Sequence, residues 1–176
     1  MENQNNNNDR PWLTGMFKDR DSAEKAYQST VARGYGKDDF NVMMSDDTRK
    51  KYFKDHETEL GNKAMEGAGA GSVIGGTLGA IVGAIAAIGT TLLIPGLGIV
   101  VAGPIAAALA GAGAGGATGG IIGALVGAGI PEDRAKTYEE GIKKGGIVIG
   151  IKPRNDEDAE TIEREWIVSE GEHVYR

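Results

Sequence analysis

The chain has 176 residues, one domain's worth, with no cysteine and a formal net charge of −6. Lack of cysteine excludes a disulfide framework and a thiolate metal site, and 19 basic against 25 acidic residues argue against a nucleic-acid binder. The charge is also segregated: Gly67 to Pro131 holds none in 65 positions, and 36 of these are glycine or alanine.

Residues 1–10, with their asparagine run, read as a disordered lead-in. They lack the basic and apolar regions of a secretory signal, so a cytoplasmic protein is expected. Residues 11–45 form the first half of an α/β domain. Trp12 to Phe17 is a short apolar run that suits a strand. A helix follows with Asp21 as its expected N-cap and Ala23, Ala26, Tyr27 and Val31 as its apolar stripe, ending at Gly34. Asp39 to Met44 reads as a second strand. Residues 46–66 are highly charged and predict a solvated connecting helix.

The uncharged middle, 67–130, contains a near-repeat. GAGAGSVIGGTLGAIVGA, from Gly67 to Ala84, returns 44 residues later as GAGAGGATGGIIGALVGA, with 12 of 18 positions identical. Glycines at Gly67, Gly71, Gly75, Gly79 and Gly83, and again at Gly111, Gly115, Gly119, Gly123 and Gly127, recur every fourth residue. That period lays a ridge without side chains along one face of a helix and lets two backbones approach closely. Pro95, Gly96, Gly98, Gly103 and Pro104 break the helix between the copies. The expectation is an antiparallel helical hairpin, Gly67 to Leu93 and Pro104 to Ile130, whose 27-residue arms reach about 40 Å, enough for a bilayer core of about 30 Å. The ridges are expected to mediate self-association, with membrane lipid or other copies of the chain around the hairpin.

Residues 131–176 supply the second half of the α/β domain. Pro131 starts a helix with Ala135, Tyr138 and Ile142 inward, and Gly145-Gly146 stops it. Ile147 to Ile151 is almost wholly apolar, as in a strand covered on both faces. A last helix spans about Asp156 to Trp166, with Ala159, Ile162 and Trp166 inward, and Glu172 to Arg176 suits an edge strand. The expected fold is α/β, a ferredoxin-like sandwich of three to four strands interrupted by the long hairpin.

No constellation points to catalysis. Gly111-x-Gly113-x-x-Gly116 matches a dinucleotide pattern, but the pattern alone is weak: Pro104 to Ala110 reads as helix where a strand is needed, and no acid occurs before Glu132. His56 and His173 stand far apart in charged surroundings, and Asp46-Asp47 and Asp156-Glu157-Asp158 sit where helix N-termini favour acids. Trp12, Trp166, Tyr27 and Tyr138 read as core. No cofactor, metal or nucleic acid is expected.

The chain resembles the bacterial general stress proteins that carry the heat-induced stress protein domain (general stress protein 17M-like). The resemblance rests on Gly15-Met16-Phe17, DRDSAEKA from Asp19, Gly34-Tyr35, Asp38 to Met44, MSDDTRKKYF from Met44, and GIPEDRAKTYEEGIKKGGIVIGI from Gly129 to Ile151. It implies a non-enzymatic, stress-induced protein and assigns no site residue. Membrane association and self-assembly through the hairpin are the expected function; a soluble filament or large particle, or a small-ligand-sensing module, are the alternatives.

Overall fold

The computed structural model describes residues 10–53, 91–94, 98–111 and 115–176. In chain order these form β1 (Leu13–Phe17), α1 (Arg20–Ala32), a 3-10 turn (Lys37–Asp39), β2 (Phe40–Ser45) and α2 (Asp46–Phe53). Then follow β3 (Thr91–Ile94), β4 (Ile99–Ala102), α3 (Pro104–Gly111), α4 (Gly115–Gly127) and α5 (Glu132–Lys143). The chain closes with β5 (Ile147–Ile151), α6 (Asp156–Val168) and β6 (Glu172–Tyr175).

The strands make one six-stranded sheet in the order β3-β4-β2-β5-β1-β6, and every neighbouring pair is antiparallel. Consequently β1 and β2 run parallel to each other, with β5 inserted between them. The fold class is mixed α/β, as expected, but the sheet has six strands where three to four were expected. The two additional strands come from the uncharged middle. Ile99-Val100-Val101-Ala102 pairs with β2, Val42 opposite Ala102 and Ser45 opposite Ile99, and Thr91–Ile94 pairs outside it. The expected helix-breaking turn is thus largely a β-hairpin, because a β-branched run beside an unpaired strand gains ladder hydrogen bonds that a turn cannot supply.

Pleating divides the core in two. Leu13, Phe17, Phe40, Val42, Met44, Ile147, Ile149 and Ile151 point to one side, where α1 and α6 bring Ala23, Ala26, Tyr27, Ile162 and Trp166. Met16, Met43, Val101 and Val148 point to the other, where Ile105, Ile121, Leu125, Ala135, Tyr138 and Ile142 cover them. Two buried glycines set the clearances. A Cβ on Gly15 would stand 3.0 Å from the Trp166 ring, and one on Gly141 would run into Met16 Sδ, so α6 and α5 lie as close to the sheet as a backbone allows.

Three details of the expected elements change. Helix α1 is capped by Asp19, whose carboxylate accepts from the Ser22 amide at 2.9 Å, and not by Asp21. Val31 is 40% exposed, and buried Thr30 takes its place on the inner face. Its hydroxyl donates to the Ala26 carbonyl at 2.8 Å and accepts from the Trp166 indole at 2.9 Å, so both polar groups are satisfied in the core. The expected arm Pro104 to Ile130 is two helices, and Gly120, at φ 59° and ψ −153°, breaks the second within itself.

On the second face Asn41 Oδ1 accepts from the Ile105 amide at 2.7 Å and so caps α3 from strand β2. Gly103 makes this possible: its φ is +106°, and a Cβ there would overlap the Phe40 carbonyl oxygen. We expect Gly103→Ala to cost about 3 kcal/mol, strain and overlap together, read as a lower urea midpoint at unchanged slope. A second test concerns Arg33, which holds Glu165 with two hydrogen bonds, 2.6 and 3.0 Å, between α1 and α6. These bonds hold the Glu165 carboxyl below its usual range. The pair therefore stabilises the fold above the unfolded carboxylate pKa of about 4.3 and ceases to as pH falls through the lower folded value. Both side chains are about one third exposed, so the effect is below about 1 kcal/mol. The stability curves of the wild type and Glu165→Gln should differ at neutral pH and converge in acid.

Candidate functional site: a charge-free helical layer

Helices α3 and α4 contain no charged residue from Pro104 to Gly127. Six of the thirteen residues of α4, GGATGGIIGALVG, are glycine. At roughly 1 kcal/mol each against alanine, they set the helix back by roughly 5 kcal/mol in intrinsic propensity. Burying Ile121 and Leu125, each worth about 1.5–3 kcal/mol, offsets much of that, so α4 is held helical by its docking. The Ile121, Ala124 and Leu125 side is buried in the second core, with α5 as the main neighbour of α4. At its C-terminal end the Trp12 indole donates to the Ala128 carbonyl at 2.9 Å, and Gly129, at φ +92°, turns the chain toward α5.

The outer side is different. Gly123 and Gly127 are exposed, Val126 is 43% exposed, and a Cβ added at either glycine would meet nothing within 4 Å. Amphipathic surface helices carry charge on the side away from the core. This one carries none, so its outer face is as apolar as a position buried between two layers.

The expected glycine ridges divide accordingly. Gly67, Gly71, Gly75, Gly79 and Gly83 lie outside the described residues, as do Pro95 and Gly96. Gly111 ends α3; Gly115, Gly119, Gly123 and Gly127 lie on α4. Among the described residues no second helix stands against Gly123 or Gly127, so the close backbone approach expected there is not observed. Such approach occurs instead at Gly141, which no four-residue period marks, and at Gly103, which extends the second series through Ala107 but meets the Phe40 backbone and not another glycine ridge. Their signal in the sequence is weaker: a glycine inside a helical stripe, and a glycine directly before a proline. Gly98, at φ +61°, sits in the β3–β4 turn, and Pro104 opens α3.

No helix among the described residues is long and apolar enough to cross a membrane. The same residues hold no group of three His, Cys, Asp or Glu side chains placed for a metal ion. His173 lies on β6 and His56 lies outside the described residues. Asp46-Asp47 and Asp156 to Asp158 occupy first turns of α2 and α6. Trp166, Tyr138 and Tyr27 are core residues, and Trp12 is partly buried against the second core. The Tyr138 hydroxyl lies 2.7 Å from Thr14 Oγ1 and 2.9 Å from the His173 carbonyl, and burial pushes its pKa well above the ordinary phenol value.

Comparisons with protein-family models, with curated proteins and with solved structures found no match to the chain.

The openness of the outer face gives a direct test. At a concentration low enough to keep the chain monomeric, Gly123→Ala adds a methyl into open space and removes a helix penalty of about 1 kcal/mol, so the melting temperature should rise. A fall would mean that another surface occupies the position.

Proposed function

We propose that this is a non-enzymatic general stress protein that self-associates through the charge-free outer face of α3 and α4. Its framework is read as a ferredoxin-like sandwich, β1-α1-β2 and β5-α6-β6, in which the connection between β2 and β5 has grown into two further strands and a helical cover. The observation that carries the proposal is the open, uncharged side of α4, with Val126 exposed between Gly123 and Gly127. An exposed, uncharged helix side of this kind is the sort of surface that meets protein or lipid. Glycines there let a partner approach to backbone distance. The resemblance of the flanking sequence to the general stress proteins supports the class and supplies no chemistry.

Lipid is the other medium that such a face fits. Membrane association would then be lateral, with α3 and α4 lying against the bilayer surface. The two are separated by one pair of measurements on the wild type and Val126→Glu, a change at an exposed position that leaves the core intact. Sedimentation velocity should show an assembly for the wild type and a monomer for the variant. Flotation with phospholipid vesicles should leave both in the aqueous fraction; recovery of the wild type with lipid moves the reading to membrane association. A wild type that is monomeric and does not float overturns the proposal.

A further inference from the structure

A cleft of about 590 Å³ opens at the end of the sheet where β1 and β2 finish and β4 and β5 begin. That volume lies within the range of small-molecule sites. Four lysines from three distant parts of the chain line it: Lys18 beyond β1, Lys51 on α2, and Lys143 and Lys144 at the end of α5. Only Asp46 and Asp47 oppose them, in a chain whose net charge is −6. The Asp46 carboxylate is already engaged, 2.6 Å from Lys50 Nζ and 2.9 Å from an Arg49 guanidinium nitrogen. Lys18 and Lys143 pair with Glu172 and Glu139, but their side chains are 73% and 63% exposed, so a ligand displaces those contacts at little cost. Lys51 and Lys144 make no ion pair among the described residues, and Asp47 is likewise without one.

The base of the cleft includes the buried side chains of Ile99 and Ile142. One wall is fixed, because Thr48 Oγ1 bonds both to Ser45 Oγ, at 2.8 Å, and to the Gly145 carbonyl, at 3.2 Å. That carbonyl belongs to a glycine at φ +96°, so the tight turn holding Lys143 and Lys144 at the mouth is tied to α2. An apolar base, one pinned wall and four lysines in the lining are the features of a site for a compact polyanion.

We infer that this cleft binds a small phosphate-bearing molecule, with Lys51 and Lys144 as its principal contacts and Lys18 and Lys143 joining on binding. The inference is independent of self-association, since the cleft draws nothing from α3 or α4.

Inorganic pyrophosphate is the probe, titrated calorimetrically into the full chain at low ionic strength. Saturable binding that weakens with added salt is expected. The double variant Lys51→Gln and Lys144→Gln should weaken it about tenfold, the size expected for two partly screened charge contacts. Asp47→Asn should tighten it, because the remaining unpaired carboxylate of the cleft is removed. Lys25→Gln, on the exposed face of α1, should leave it unchanged. All three side chains altered in the cleft are exposed, and unchanged circular dichroism checks that the variants fold. No saturable binding up to about 10 mM, or an equal loss in Lys25→Gln and the double variant, overturns the inference.

Discussion

Strand β5 reads Ile-Val-Ile-Gly-Ile and is buried along its whole length, with isoleucines toward α1 and α6 and Val148 toward α5. A central strand apolar on both faces has to be covered twice, and a chain with one helical layer would leave half of it in water. Much else follows from this need. The helices α1 and α6, which connect β1 to β2 and β5 to β6, close one face. The second cover comes from the connection between β2 and β5, which is why helices of such low intrinsic propensity are retained there.

Contacts across that second face bind the inserted part to the framework. Asn41 caps α3 from within the sheet, Gly103 brings the chain onto the Phe40 backbone, and Tyr138 reaches Thr14 on β1. The Nδ2 group of Asn41 is buried and has no hydrogen-bond partner among the described residues, a cost accepted at the position that orders the insert. Because α4 is docked on its inner side alone among the described residues, its uncharged outer side is left for another surface. The same geometry that completes the core therefore creates the proposed assembly face. The lysine cleft lies elsewhere, at the sheet end, so the proposed assembly face and the proposed ligand site are separate surfaces.

The two ends of the chain were legible because their signals are local. Apolar stripes at helical spacing placed α1, α5 and α6, glycines marked where the first two stop, and the unbroken Ile147 to Ile151 run announced a doubly covered strand. In the described part of the uncharged middle, from Thr91 on, the local signals are ambiguous. A four-residue glycine period is compatible with one long helix, yet Gly120 at positive φ interrupts it. Ile99 to Ala102 is apolar enough for a buried turn, and the unpaired edge of β2 makes it a strand. The cleft was invisible in sequence, since Lys18, Lys51 and Lys144 share no motif and meet through the ends of β1, α2 and α5.

By itself the sequence determined the segregation of charge, the mixed α/β class and the double burial of β5, because composition and short-range periodicity act within a few residues. The tertiary structure decided the six-stranded order, the break in the second arm, the outward face of α4 and the convergence of the lysines. Each of these depends on partners far apart in the chain, such as Asn41 and the amide of Ile105, 64 residues on. No local pattern encodes them, for their free energy arises only once both partners are in place.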